Sequence, residues 1–127
     1  MEERIESHPS GLRWIRSVSE GDRAHAIDTL FGASPRLTPL MSLTFDGPPG
    51  LMEPHYHTGT IAALITSGRL ALDVGDDISE RYVFGPGDIV YVPVNLFHGE
   101  EVLDGQPVTA SVMHSEPFEV IERRPEG

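Results

Sequence analysis

The chain has 127 residues with 20 acidic and 9 basic side chains, a formal charge of −11 that repels phosphate backbones and excludes nucleic acid as an expected partner. It contains no cysteine, which excludes a disulfide framework, a thiolate metal site and a cysteine nucleophile and leaves nitrogen and oxygen as the only donors for an ion. No apolar run reaches the roughly 18 residues of a membrane span, and the start, MEERIESHPSG, lacks the basic and apolar regions of a secretory signal, so a cytoplasmic protein is expected.

The length suits one domain with one core. Thirteen glycines and eleven prolines punctuate short runs of Val, Ile, Leu, Tyr and Phe, a pattern that predicts many short strands and an all-β fold. Residues 1–10 are polar and are expected to form a loose N-terminal segment, with residues 11–127 as the single domain. LRWIRSV (Leu12 to Val18) reads as a first strand with Trp14, Arg16 and Val18 on one face, whereas HAIDTLF (His25 to Phe31) suits either a short strand or one helical turn. In LTPLMSLTF, Met41, Leu43 and Phe45 alternate with Ser42 and Thr44, the period of a half-buried strand.

Strands are expected next over about Met52 to Ile65 and Arg69 to Val74, joined as a hairpin through TSG, where Gly68 is free to take a positive φ. Asp73, Asp76, Asp77 and Glu80 read as a solvated acidic turn. There follow ERYVF, the turn GPGD, the strand IVYVP, a second turn VNLF, and a last strand near PVTASVM. Asp88 and Gly87 fit the first of these turns, and Asn95 can take the left-handed conformation in the second. Strands of about five residues with turns every 8 to 12 residues suit a sandwich or a closed barrel.

The chemistry concentrates in three of the six histidines. On a strand, His55 and His57 point the same way and Tyr56 the opposite way, so two imidazoles can lean toward one ion. His98 follows PGDIVYVPVNLF, a turn, strand and turn that would return the chain beside that pair. His8 and His25 have no such context.

HYH with Gly68, and PGDIVYVPVNLFH, resemble the two signature motifs of the cupin superfamily. The first family motif follows its histidine pair with a glutamate and then a glycine; here His55, His57 and Gly68 match, but the glutamate position holds Ile61. In the second, Gly87, Pro93 and His98 match, while Asn95 replaces a glycine and Val102 an asparagine. The resemblance is close over residues 50–98 and extends by strand pattern alone to residues 107–117. It implies a cupin-type double-stranded β-helix, a jelly-roll barrel, with His55, His57 and His98 as ligands of a divalent metal.

The resemblance to the three-histidine subset of that family further implies Fe(II), with Zn, Ni or Mn as other ions, and a dioxygenase-like oxidoreductase. Parity directs Ile61 into the cavity where the family's glutamate binds. Three neutral imidazoles would then leave the ion its full double charge, which suits a small anionic, chelating ligand. The alternatives are a metal-dependent isomerase or lyase and a non-catalytic binding or sensing module. His114, Tyr91 and Glu53 are the candidate catalytic residues, Glu53 also as a replacement carboxylate, and Glu100 and Glu101 are candidates to orient a ligand ring. Likeness to other small cupins implies a homodimer.

Overall fold

In a computed structural model of the chain, residues 5–31, 40–115 and 119–125 are described, and the side chains of residues 31 and 40–43 are left aside. Eleven strands run through them: β1 (Glu6–Ser7), β2 (Arg13–Ile15), β3 (Leu40–Gly47), β4 (Gly50–His57), β5 (Ile61–Ser67), β6 (Leu70–Val74), β7 (Glu80–Phe84), β8 (Ile89–Val92), β9 (His98–Val102), β10 (Val108–Ser115) and β11 (Val120–Ile121). One helix of nine residues, α1 (Arg23–Phe31), precedes β3. A six-stranded sheet has the order β1-β2-β8-β5-β10-β3 and a five-stranded sheet the order β11-β4-β9-β6-β7, every pairing antiparallel. This is the all-β jelly-roll architecture expected from the sequence. Among the described residues no helix is long and apolar enough to cross a membrane.

Two expected connections are different. The run from Met52 to Ile65 is not one strand: the chain leaves the five-stranded sheet after His57 and joins the other at Ile61. Hydrogen bonds fasten the crossing, with the Thr60 amide donating to Ser115 Oγ (2.9 Å) and the Ser115 amide to the Thr60 carbonyl (3.0 Å). Nor do β5 and β6 form a hairpin. β5 lies between β8 and β10, and β6 between β9 and β7, so the turn at Gly68 (φ 81°) carries the chain from one sheet to the other. That turn passes so close to the next strand that a Cβ on Gly68 would stand 2.5 Å from the Pro107 carbonyl oxygen.

The first strand is also shorter than its apolar pattern suggests. Ser17 takes φ 51° and donates its amide to Asp88 Oδ1 (2.8 Å), so alternation stops after Ile15. As a result Trp14 joins the core between the sheets, Val18 packs in a second cluster outside it, and Arg16 is exposed. Residues 6–7 pair with β2 and His8 is buried, its Nε2 3.0 Å from Glu80 Oε2, so the terminal segment is tied down from Glu6 onward. HAIDTLF lies in α1. Ala26 and Leu30, four residues apart and fully buried, face Ile89 and Tyr91 of β8 and Ala62 and Leu64 of β5.

Strands β5 and β8 are therefore covered on both faces. Their other face, with Val90, Val92 and Ile65, packs between the sheets with Leu72, Phe84 and Val112. Phe45 reaches that interior from β3 while Thr44 is exposed, as alternation predicts; the expected places of Met41, Leu43 and Ser42 lie outside the described side chains, and residues 37–39 outside the described residues.

Candidate metal centre

The two sheets do not meet everywhere. Between them is a cavity of about 230 Å³ whose walls are almost wholly apolar, formed by Ile61, Ala63 and Ile65 of β5, Val108, Ala110 and Val112 of β10, and Leu70 and Leu72 of β6. Polar side chains enter it at one end.

His55 and His57 reach that end from β4 and His98 from β9; all three are buried. One ligating atom from each lies within 4.8 Å of the other two, and the ring centroids stand 5.0 Å (His55–His57), 4.5 Å (His55–His98) and 4.9 Å (His57–His98) apart. The three residues singled out in the sequence are thus brought together on one wall.

The backbone sets the ring orientation. His55 Nδ1–H donates to the Glu53 carbonyl (2.8 Å) and His98 Nδ1–H to the Leu96 carbonyl (2.9 Å), each two residues upstream. Both rings therefore present Nε2 to the cluster, the arrangement that fixes a metal-binding tautomer. His98 Nε2 is buried without a hydrogen-bond partner. A buried imidazole lone pair left this way is costly unless a proton donor or cation meets it, so the residues present fit a divalent ion held by nitrogen.

Electrostatics favour neutral rings at His57 and His98. Burial, then the neighbouring His98 and His55, push the His57 imidazole down to about 3, against the opposing charge of Glu100. Burial also pushes His98 down, with Glu100 opposing. His55 goes the other way: burial would lower it, but its hydrogen bonds to Glu100 and the Glu53 carbonyl together with the Glu100 charge outweigh burial and raise it.

Glu100 also reaches this end of the cavity, from β9. Its Oε2 lies 3.2 Å from His55 Nε2, and its side chain is largely buried. Although burial alone would raise it, the hydrogen bond from His55 and the charges of the three histidines hold its carboxyl below the usual range. An acidic group is therefore beside the histidines on the same face, paired with His55. The available signal is its two-residue spacing from His98, but Gly-Glu-Glu carries no strand pattern, and Glu-Glu after a turn reads as solvated charge.

Ile61 projects into the cavity as parity implied. Glu53 does not join the cluster. Register shifts between Met52, opposite Glu100, and His55, opposite His98, so one extra β4 residue bulges at Glu53–Pro54; this turns the Glu53 side chain to the exposed mouth and leaves its carbonyl to His55. Glu101 faces away and pairs with Arg81 at 3.0 Å. Tyr91 also faces away: it packs under α1 with Arg13 stacked 4.3 Å from its ring centre, because Val90 and Val92 take the interior positions of β8. His114 is buried and lines the cavity from β10, opposite Ile61 of β5 in the ladder. His25 is exposed on α1.

The family profile described as the cupin domain matches residues 44–114. Among curated proteins, no sequence matches this one. Many solved structures share the architecture, among them the three that follow. The dTDP-6-deoxy-D-glucose-3,5-epimerase RmlC from Legionella pneumophila, in complex with dTDP-4-keto-L-rhamnose, aligns with a TM-score of 0.65 and 14% identity over 93% of this chain and 74% of its own. The polyketide cyclase RemF from Streptomyces resistomycificus gives 0.57 and 19% identity over 98% and 81%. A cupin 2 domain-containing protein from Halorhodospira halophila gives 0.55 and 15% identity over 100% and 86%. At these identities the likeness is one of fold.

Proposed function

The chain belongs to the cupin family, and from that premise we propose that it is a metal-dependent enzyme whose barrel, residues 11–127, holds one divalent ion through His55, His57 and His98. The observation that carries this reading is the convergence of three buried imidazoles, with His98 Nε2 unpaired, at the polar end of an apolar cavity. The all-nitrogen donor set suits Fe(II), with Zn, Ni and Mn as alternatives.

The cavity selects the ligand. Its walls match a small molecule with an apolar body, and its histidine end matches a head with two oxygens able to chelate, such as an enolised diketone or a hydroxy acid. When bound, the ion supplies Lewis-acid polarisation of that head and, if it is iron, a site for dioxygen chemistry. The apolar walls exclude water, His114 faces the ligand from β10, and the Glu100 carboxylate stands beside His55 at the histidine end. We assign the enzyme to dioxygenase-like oxidation of such a chelating, anionic substrate.

A second reading has its own support. A carboxylate hydrogen-bonded to a histidine at the cavity end is a proton-transfer device, and an epimerase and a polyketide cyclase share the fold, so an isomerase, lyase or cyclase reaction without oxygen is the competing assignment. Oxygen uptake by Fe(II)-loaded protein separates them. The first reading predicts metal-dependent oxygen consumption equimolar with loss of a diketone, hydroxy acid or thiol. Turnover unchanged under anaerobic conditions supports the second, and ligand binding without turnover of any kind would leave a binding module. We also propose a homodimer, for which the exposed Leu51 on β4 and Val120 on β11 offer apolar surface on one sheet. A monomeric mass by light scattering would reject it.

A further inference from the structure

We propose that the chelating ligand carries a protonated amine beside its metal-binding head, received at the cavity mouth by Glu122 of the C-terminal segment and Glu53 of the β4 bulge; this rests on the metal-centre reading above and names the class of ligand it serves. Histidines aside, the charged side chains lining the cavity are Glu53, Glu100 and Glu122, and among the described residues no Lys or Arg lines it. Glu100 is engaged by His55 at 3.2 Å. The carboxylates of Glu53 and Glu122, both exposed, have no ion-pair or hydrogen-bond partner among the described residues. The arginines pair elsewhere: Arg81 with Asp73 and Glu101, Arg69 with Asp104, and Arg16 with Asp88.

The local chain explains how Glu122 arrives there. β11 runs antiparallel to β4 with Val120 opposite His57 and Ile121 opposite Tyr56, and the same register continued by one residue sets Glu122 across from His55. Val120 and Glu122, two apart, share the inner face and line the cavity, and the Glu122 carboxylate is near enough for its charge to act on the His55 ring. The segment is held by the Thr58 amide donating to the Glu119 carbonyl (3.0 Å) and by Arg124 stacked 4.8 Å from the Phe97 ring centre. Glu53 reaches the mouth because the bulge turns it away from the metal ligands. Behind these two carboxylates the walls are apolar and of low dielectric, which concentrates their field at the entrance. An anion alone is repelled there, whereas an ammonium beside the chelating oxygens turns the repulsion into attraction. A small α-amino carbonyl compound with an aliphatic side chain meets all three conditions: oxygens for the ion, an amine for the carboxylates and an apolar body for the space lined by Ile65, Val108 and Val112.

Two hydroxamates that share a chelating head and an aliphatic body, and differ only in the α-amine, test this: leucine hydroxamate and 4-methylpentanohydroxamate, each titrated calorimetrically into the Zn(II)-loaded full chain. Each of Glu122→Gln and Glu53→Gln should weaken leucine hydroxamate about 3- to 5-fold, and the two together about tenfold, while leaving the amine-free hydroxamate as in wild type. These losses should shrink at high salt. Glu119→Gln, on the same segment but outside the cavity lining, should move neither ligand. All three side chains are exposed, so their amides should fold. Unchanged affinity for leucine hydroxamate in the double variant, an equal change for both hydroxamates, or an effect of Glu119→Gln as large as that of Glu122→Gln would overturn the amine site while leaving the metal centre in place. A wild type that binds no Zn(II) would instead refute the three-histidine reading, and one that binds Zn(II) but neither hydroxamate would refute the chelating ligand; this inference falls with either.

Discussion

His55 and His98 stand directly opposite each other in the β4–β9 ladder, with ring centroids 4.5 Å apart. Two imidazoles at that distance cannot both carry a proton without repulsion, and His57 is a third ring beside them.

The metal-free protein should therefore be acid-labile. The folded state resists protonation of His57, which is held near 3 against 6.5 when unfolded, and of His98. As pH falls from 6.5 toward 3, the unfolded chain binds a proton that the folded His57 ring refuses, and stability drops by up to roughly 1.4 kcal/mol per pH unit from that ring, with His98 acting in the same direction. Glu100, held low in the folded state, adds to the loss in acid, whereas His55, held high, contributes stability at low pH that disappears as pH rises through its folded value. Urea unfolding across this range should show the decline, and His57→Gln should flatten it. A stability profile flat below 6.5 would contradict the burial of neutral rings.

Asp88 anchors a corner of the barrel. Its carboxylate accepts from the Ser17 amide (2.8 Å), the Gly85 amide (2.8 Å) and Arg16 Nη1 (3.1 Å), while Gly87 turns the chain at φ 91°. Asp88→Ala leaves two backbone donors without their acceptor and should cost about 2–4 kcal/mol by chemical denaturation. A loss below about 1 kcal/mol would mean that water replaces the carboxylate.

Much of this arrangement is legible in the sequence because alternation and turn chemistry are local. The histidine pair, Gly68, the turn at Gly87–Asp88 and the left-handed Asn95 (φ 66°) are readable from residue type and spacing. What is not readable is where a strand changes sheets: period-two alternation runs on through Thr58–Thr60 whether or not the partner strand changes. The bulge at Glu53–Pro54 was hidden for the same reason, and with it the outward turn of Glu53. β9 is not legible because Gly99, Glu100 and Glu101 have low strand propensity and are held by pairing with β4 and β6, a tertiary effect.

Gly68→Ala tests the sheet-to-sheet turn. A methyl group there would stand 2.5 Å from the Pro107 carbonyl oxygen and 2.8 Å from Val108 Cα, at φ 81°. Backbone on both sides cannot yield cheaply, so a loss of at least about 2 kcal/mol is expected in thermal or urea unfolding. Wild-type stability would show that the turn relaxes.

Val112→Phe separates the cavity from the ion. Val112 lines the apolar part of the cavity on β10. A larger ring there should cost no more than about 1–3 kcal/mol of stability, leave metal content unchanged and abolish binding of the chelating ligand. Retained ligand affinity would place the ligand elsewhere.

The central claim is that His55, His57 and His98 share one ion, and metal stoichiometry after equilibrium dialysis against Fe(II), Zn(II) or Ni(II) tests it most directly. Wild type should retain one ion per chain, while folded His57→Ala and His98→Ala should each lose affinity by more than about 100-fold. Stoichiometric metal retained by either variant with wild-type affinity, or none bound by wild type, would contradict it.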